Sequence, residues 1–207
     1  MRLAASLALV LCLAAPARAT ELDLTLVTSA GKAVPDAVVM VRPDGARGPA
    51  RIAGPYVLAQ KNTQFQPYVL IVPLGAEVSF PNLDPFHHHV YSFSKAKTFE
   101  LKLYSRDETR KVRFDKAGVI GVGCNIHDNM SAYIRVVDTP WAAKTAVGGR
   151  AEVRDLPAGP ATLTVWHPFL KAAGGEIVQR ITVPAAGQMR LSVTGDLKPS
   201  RLRRDGY

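Results

Sequence analysis

Cysteine, histidine and methionine recur at three-residue intervals in Cys124-Asn125-Ile126-His127-Asp128-Asn129-Met130. A thiolate, an imidazole and a thioether in one short loop form a soft donor set. That set suits copper better than magnesium, calcium or manganese. A zinc site is disfavoured, because structural zinc takes Cys and His throughout and a thioether serves it poorly. A trigonal copper site needs two imidazoles, one thiolate and a distant axial thioether. The loop supplies one imidazole, so the second must come from elsewhere. Three of the five histidines stand together upstream in Phe86-His87-His88-His89-Val90, just after Asn82-Leu83-Asp84.

Such donors need a scaffold that brings two distant loops together. Gly118 to Gly123 leads into the cysteine loop and Ala132 to Val137 leads out with apolar alternation, which reads as strand, loop, strand. The three glycines in the first run point to a close backbone approach near the site. Around the histidine run, alternation sets the faces. If Val90 points inward, His88 shares its face, while His87 and His89 point away. His88 is therefore the candidate ligand, with His87 and His89 as alternatives. Asn82 is a candidate for holding the two ligand loops together. His167, beside Trp166, reads as structural.

Further β-type runs cover Leu22 to Val27, Pro35 to Val41, Tyr68 to Val72, Ala76 to Phe80, Phe99 to Tyr104 and Lys111 to Phe114. Residues 42–55, rich in Pro, Gly and Arg, read as an exposed loop. Gln60 to Pro67 has no clean periodicity. After Val137 a linker over 139–149 precedes about four more strands, within 150–154, 161–166, 177–183 and 189–193. The fold class expected is all-β.

The first 19 residues read as an export signal: Arg2, an apolar stretch from Leu3 to Ala15 too short to span a bilayer, and the small-x-small site Ala17-Arg18-Ala19. Its removal takes away Cys12, one of two cysteines, and leaves Cys124 with no partner for a disulfide. A lone thiol in an oxidising compartment is exposed to oxidation unless buried or held by a metal. Loss of Arg2 and Arg18 lowers the net charge from +9 to +7. A basic surface favours acidic protein partners or anionic membrane faces. Nothing in the sequence points to nucleic acid, and the mature chain shows no membrane span.

These residues resemble the cupredoxins, through Asn82-x-Asp84, His88-x-Val90 and Cys124-x-x-His127-x-x-Met130, the last spacing being similar to that of amicyanin. The longer run from Phe80-Pro81-Asn82 to Ser94, with Cys124 to Asp128, looks like a group of periplasmic plastocyanin-like or methylamine utilisation proteins. The resemblance covers roughly residues 60–138. It implies a Greek-key β-sandwich binding type 1 copper through His88, Cys124, His127 and axial Met130, with electrons passing at His127. The segment from Gly149 to Pro168 resembles a carboxypeptidase regulatory-like sandwich, and Gly31 to Val39 has a similar look. The expected organisation is a signal peptide over 1–19 and a cupredoxin domain over 20–138 with an N-terminal strand extension. A small β domain over 139–197 and a basic tail over 198–207 complete it. The N-terminal strands either add to the cupredoxin or pair with the C-terminal module.

The function these readings imply is a periplasmic carrier of single electrons between redox partners, acidic ones being favoured. A copper-handling protein and a non-redox binding module on the same scaffold are the alternatives. An enzyme is not expected. There is no Ser-His-Asp set and no Gly-rich phosphate loop, and five histidines are too few for the additional copper sites of an oxidase.

Overall fold

The computed structural model describes residues 20–46, 48 and 52–199. The expected signal, Arg47 and Arg51 of the Pro/Gly-rich loop, and the tail from residue 200 lie outside the described residues. Among those described, no helix is long and apolar enough to cross a membrane.

The chain is all-β and runs as β1 (Thr20–Val27), β2 (Val38–Pro43), β3 (Ala59–Lys61), β4 (Gln64–Gln66), β5 (Val69–Pro73), β6 (Glu77–Pro81), β7 (His88–Ser94) and β8 (Lys97–Tyr104). It continues as β9 (Thr109–Arg113), β10 (Gly118–Cys124), β11 (Ser131–Val137), β12 (Ala142–Lys144), β13 (Arg150–Leu156), β14 (Gly159–Trp166), β15 (Glu176–Val183) and β16 (Gly187–Thr194).

Strands β5 to β11 build the site sandwich. A five-stranded sheet in the order β5-β11-β10-β7-β8 faces the β6–β9 ribbon. Between them lie Leu58, Phe65, Val78, Phe80, Phe114, Ile120 and Ile134. The chain leaves β8 for the opposite ribbon at β9 and returns to place β10 beside β7, a Greek-key return. The β3–β4 hairpin closes one end, bridged from Gln60 to Asn82. The sequence there shows no periodicity because the two strands are three residues each, too short to express one.

The remaining strands form a second sandwich, β13-β1-β16 against β12-β2-β14-β15. In β1, Leu22, Leu24 and Leu26 alternate inward and meet Val39, Val41, Leu163 and Val165. The expected cupredoxin domain over 20–138 takes in the N-terminal strands as an extension; of the two places left open for them, the pairing gives the C-terminal module. Strand β1 is central, with β13 on one edge and β16 on the other. Strand β2 is likewise flanked by β12 and β14. Both edges of both strands are filled by C-terminal partners, so neither is left to extend the site sheet. The site sandwich is thus inserted into a host sandwich made from the two ends of the chain. The expected linker over 139–149 contains β12, which borders β2.

The two units share a third apolar cluster of Val38, Met40, Val69, Val137 and Trp166. Tyr133 packs edge-on against both Tyr68 and Trp166. Arg135 lies over the Trp166 ring and reaches Glu176 at 2.8 Å. Burial works against its charge and outweighs the help from Glu176, so its pKa is lowered. Lys144 bonds both Asp36 and the Val69 carbonyl at 3.0 Å.

Candidate metal centre

His88 opens β7, where alternation turns His88, Val90 and Ser92 into the sandwich. The chain reaches it through a loop tied down by Asn82. The Asn82 side-chain amide donates to the Phe86 carbonyl at 2.8 Å and the Tyr104 carbonyl at 3.1 Å. Its oxygen accepts the Asp84 N–H at 3.0 Å. Asn82 therefore shapes its own loop and fastens it to the end of β8. It does not bridge to the cysteine loop, as the sequence suggested. That bridge is made by the backbone, with Cys124 opposite Val90 and the Asn125 N–H donating to the His89 carbonyl at 3.1 Å.

Cys124 ends β10 and faces inward, 4% exposed. Two backbone bonds close the loop after it. The Cys124 N–H donates to the Met130 carbonyl at 3.1 Å, and the Met130 N–H to the His127 carbonyl at 2.9 Å. This short closure keeps the three candidate donors of one loop on a fixed frame. Met130 is buried at its far end within the site core.

The two loops bring three donors together. Cys124 Sγ lies 3.7 Å from His88 Nδ1 and 3.6 Å from His127 Nδ1. The ligand atoms of all three residues lie within 4.8 Å of one another. His88 is fully buried and His127 half-buried. The Phe86 ring covers both imidazoles, at 5.3 Å from His88 and 5.6 Å from His127. One thiolate and two imidazoles at this separation can converge on a single soft ion. The residues fit copper by donor type.

The other histidines are elsewhere. His87 is exposed. His89 turns outward, with Nε2 2.9 Å from the Glu100 carboxylate. His167 is buried in the host sandwich, where Nδ1 accepts the Phe169 N–H at 3.2 Å. The β10 glycines do permit a close approach, but on the outer face of the sheet. A Cβ on Gly123 would lie 3.0 Å from the Tyr91 ring, which crosses the backbone there.

Sequence reasoning gave Asp84 no task. In the structure its carboxylate is 4% exposed and sits 2.8 Å from His88 Nε2. The Asn62 N–H donates to it at 2.6 Å and the Thr63 N–H at 3.0 Å. Burial pushes the Asp84 carboxyl up, but the bonds from Thr63, His88 and Asn62 together outweigh it, so its pKa falls below the ordinary value. Beneath this group Tyr104 donates to the Phe80 carbonyl and accepts from Gln60. Burial drives the Tyr104 phenol upward, out of any physiological range. The signal that could have found Asp84 is its place four residues before His88.

Among solved structures the chain is similar to cupredoxins. Amicyanin from Paracoccus versutus matches at 17% identity and a TM-score of 0.38, over 48% of this chain and 97% of that one. A purple cupredoxin from Nitrosopumilus maritimus matches at 20% identity and 0.35, over 39% and 96%. A copper-containing nitrite reductase from Thermus scotoductus matches at 25% identity and 0.39, over 46% and 25%. No protein-family model matches the sequence, and a search of curated proteins gives no match.

Proposed function

We propose that the protein is a type 1 copper protein that carries single electrons between periplasmic redox partners and transforms no substrate. The observation supporting this reading is the approach of one cysteine sulfur and two imidazole nitrogens within 4.8 Å. Copper bound there supplies a one-electron couple at a potential set by its surroundings.

The chain's part is to hold the donors still. Cys124 is fixed by its strand and by the Met130 carbonyl. His88 is fixed by Asp84. Met130 is the candidate for the weak axial position and helps keep water out. Rigid strands that hold functional loops limit rearrangement when charge at the site changes. His127 is the entry and exit edge. It is half-buried, with Phe86 at 40% and Ile126 at 49% exposed beside it. The basic balance of the chain favours acidic partners.

Titration of purified protein with Cu(II) tests this. One equivalent should produce an intense visible band from thiolate-to-copper charge transfer and a reversible one-electron couple. Cys124→Ser should abolish the band entirely while leaving the β-sheet circular dichroism unchanged. A folded wild-type protein without the band would end the reading. Bound copper that passes readily to an acceptor but does not cycle would favour copper handling instead.

A further inference from the structure

We propose that Asp84 is the positioning residue of the centre: it fixes His88 as an Nδ1 donor and, by its charge, biases a metal held there toward the oxidised state. The second half of this inference rests on the copper reading above, whereas the first half concerns the chain alone.

Two backbone N–H groups and one imidazole nitrogen reach the Asp84 carboxylate among the described residues, and both backbone contacts are donors. Oδ1 takes the Asn62 N–H at 2.6 Å, Oδ2 takes the Thr63 N–H at 3.0 Å, and Oδ2 lies 2.8 Å from His88 Nε2. An ionised carboxylate can only accept, so Nε2 must carry the proton. Neutral imidazole has one proton, which leaves the Nδ1 lone pair facing Cys124 Sγ. The carboxylate is not itself in the donor cluster, because it bonds the far nitrogen of the ring.

The grip on Asp84 has its own support. Asn62 and Thr63, the two central residues of the β3–β4 turn, both have φ of 56°. Two successive left-handed residues turn their N–H groups toward the same carboxylate. Asn tolerates that conformation, whereas a β-branched Thr is an outlier in it. Backbone strain of this kind marks a turn whose geometry is used. The path runs from the hairpin turn to Asp84, to His88 and to the thiolate, without an exposed step between Asp84 and Cys124.

A buried negative charge one ring away favours the higher charge on a bound ion. Outer partners of this kind orient a histidine ligand and raise its basicity. Losing the charge should therefore strengthen Cu(I) binding relative to Cu(II).

Two substitutions separate the parts. Asp84→Asn keeps an acceptor oxygen and removes the charge, and Asp84→Leu removes both. In metal-free protein, nitrogen-detected NMR should show His88 with the proton on Nε2 in the wild type. The Leu variant should show a mixture of tautomers. In copper-loaded protein, both variants should raise the ratio of Cu(I) to Cu(II) affinity about tenfold, which is about 59 mV for a one-electron couple. If stability falls while the tautomer is unchanged and the ratio stays within twofold, Asp84 merely anchors the hairpin and the proposal is overturned. If wild-type protein forms no copper couple, the electron-carrier reading fails by itself, and the metal-free tautomer still decides whether Asp84 positions His88. If the Leu variant does not fold, the Asn variant carries the affinity test.

Discussion

The host sandwich and the site sandwich use the same alternation to reach different ends. In the host, the inner face of β1 meets β2 and β14 mainly through Leu and Val, and the ion pairs Arg150–Asp23, Arg154–Glu21 and Arg180–Asp44 stay outside. In the site sandwich the apolar core gives way at one pole to Gln60, Asn82, Asp84 and His88, none more than 4% exposed. Each buried polar group must find partners, because an unpaired one costs about 1–3 kcal/mol. The site sandwich meets most of that demand with side chains bonding backbone, while Gln60 Oε1 has no partner among the described residues. The host does the same at its loops, where the Thr139 hydroxyl donates to the Val41 carbonyl at 2.7 Å and the Thr145 hydroxyl to the Val34 carbonyl at 2.8 Å. What separates the units is the use: among the described residues, the buried polar groups gather beside metal-ligating atoms only in the site sandwich.

This contrast breaks most sharply at Gly149. Its φ is +74°, and a Cβ there would lie 2.4 Å from the Leu26 carbonyl. Gly149→Ala should cost about 4 kcal/mol, from backbone strain of about 1–3 and overpacking of about 1–3. Urea unfolding measures it. A second transition, with the copper band surviving the first, would show that the insert stands without its host.

Leu163→Ala, at the centre of β14 and fully buried, should cost about 3 kcal/mol through the cavity it leaves. The copper band should keep its position and intensity. A shifted band would mean that packing in the host reaches the site across the Arg135 and Trp166 contacts.

Asn82→Ala should show the opposite balance. It removes three hydrogen bonds, two of them buried, and should cost about 2 kcal/mol, with weaker copper affinity as well. Unchanged affinity would show that the loop keeps its shape without them.

The smallest effect concerns pH. Asp196 accepts the Ser29 N–H at 2.9 Å and its hydroxyl at 2.8 Å, joining the end of β1 to the end of β16. The backbone bond and then the hydroxyl bond hold its pKa below the ordinary 3.8. A carboxyl with a depressed folded pKa stabilises above its unfolded value, and that contribution fades as pH falls through the folded one. Below about pH 4 the wild type should lose a small increment that Asp196→Asn lacks at every pH. Urea midpoints at pH 6 and pH 3 compare them.

Much of the site geometry is local and so could be read from the chain. Alternation with Val90 turns His88 inward, and the three-residue spacing keeps Cys124 and His127 on one loop. What escaped reading depends on partners rather than patterns. The alternation in β1 says which face is buried but not which strands lie beside it, so its union with β13 and β16 is not legible in the chain. The Asp84 contacts cross about twenty residues to a turn whose Thr63 carries no left-handed signal. Asn82 stands out by its place ahead of the histidines, yet its side chain bonds its own loop and the end of β8, a choice set by backbone directions that residue types do not reveal.

The inserted arrangement also constrains how the molecule comes into being. On the ribosome, every strand of the insert emerges before β12 to β16, so β1 and β2 wait without neighbours while the donor cluster is already complete. A chain cut short after Val137 would present two orphaned segments with bare edges, an invitation to pair with other chains.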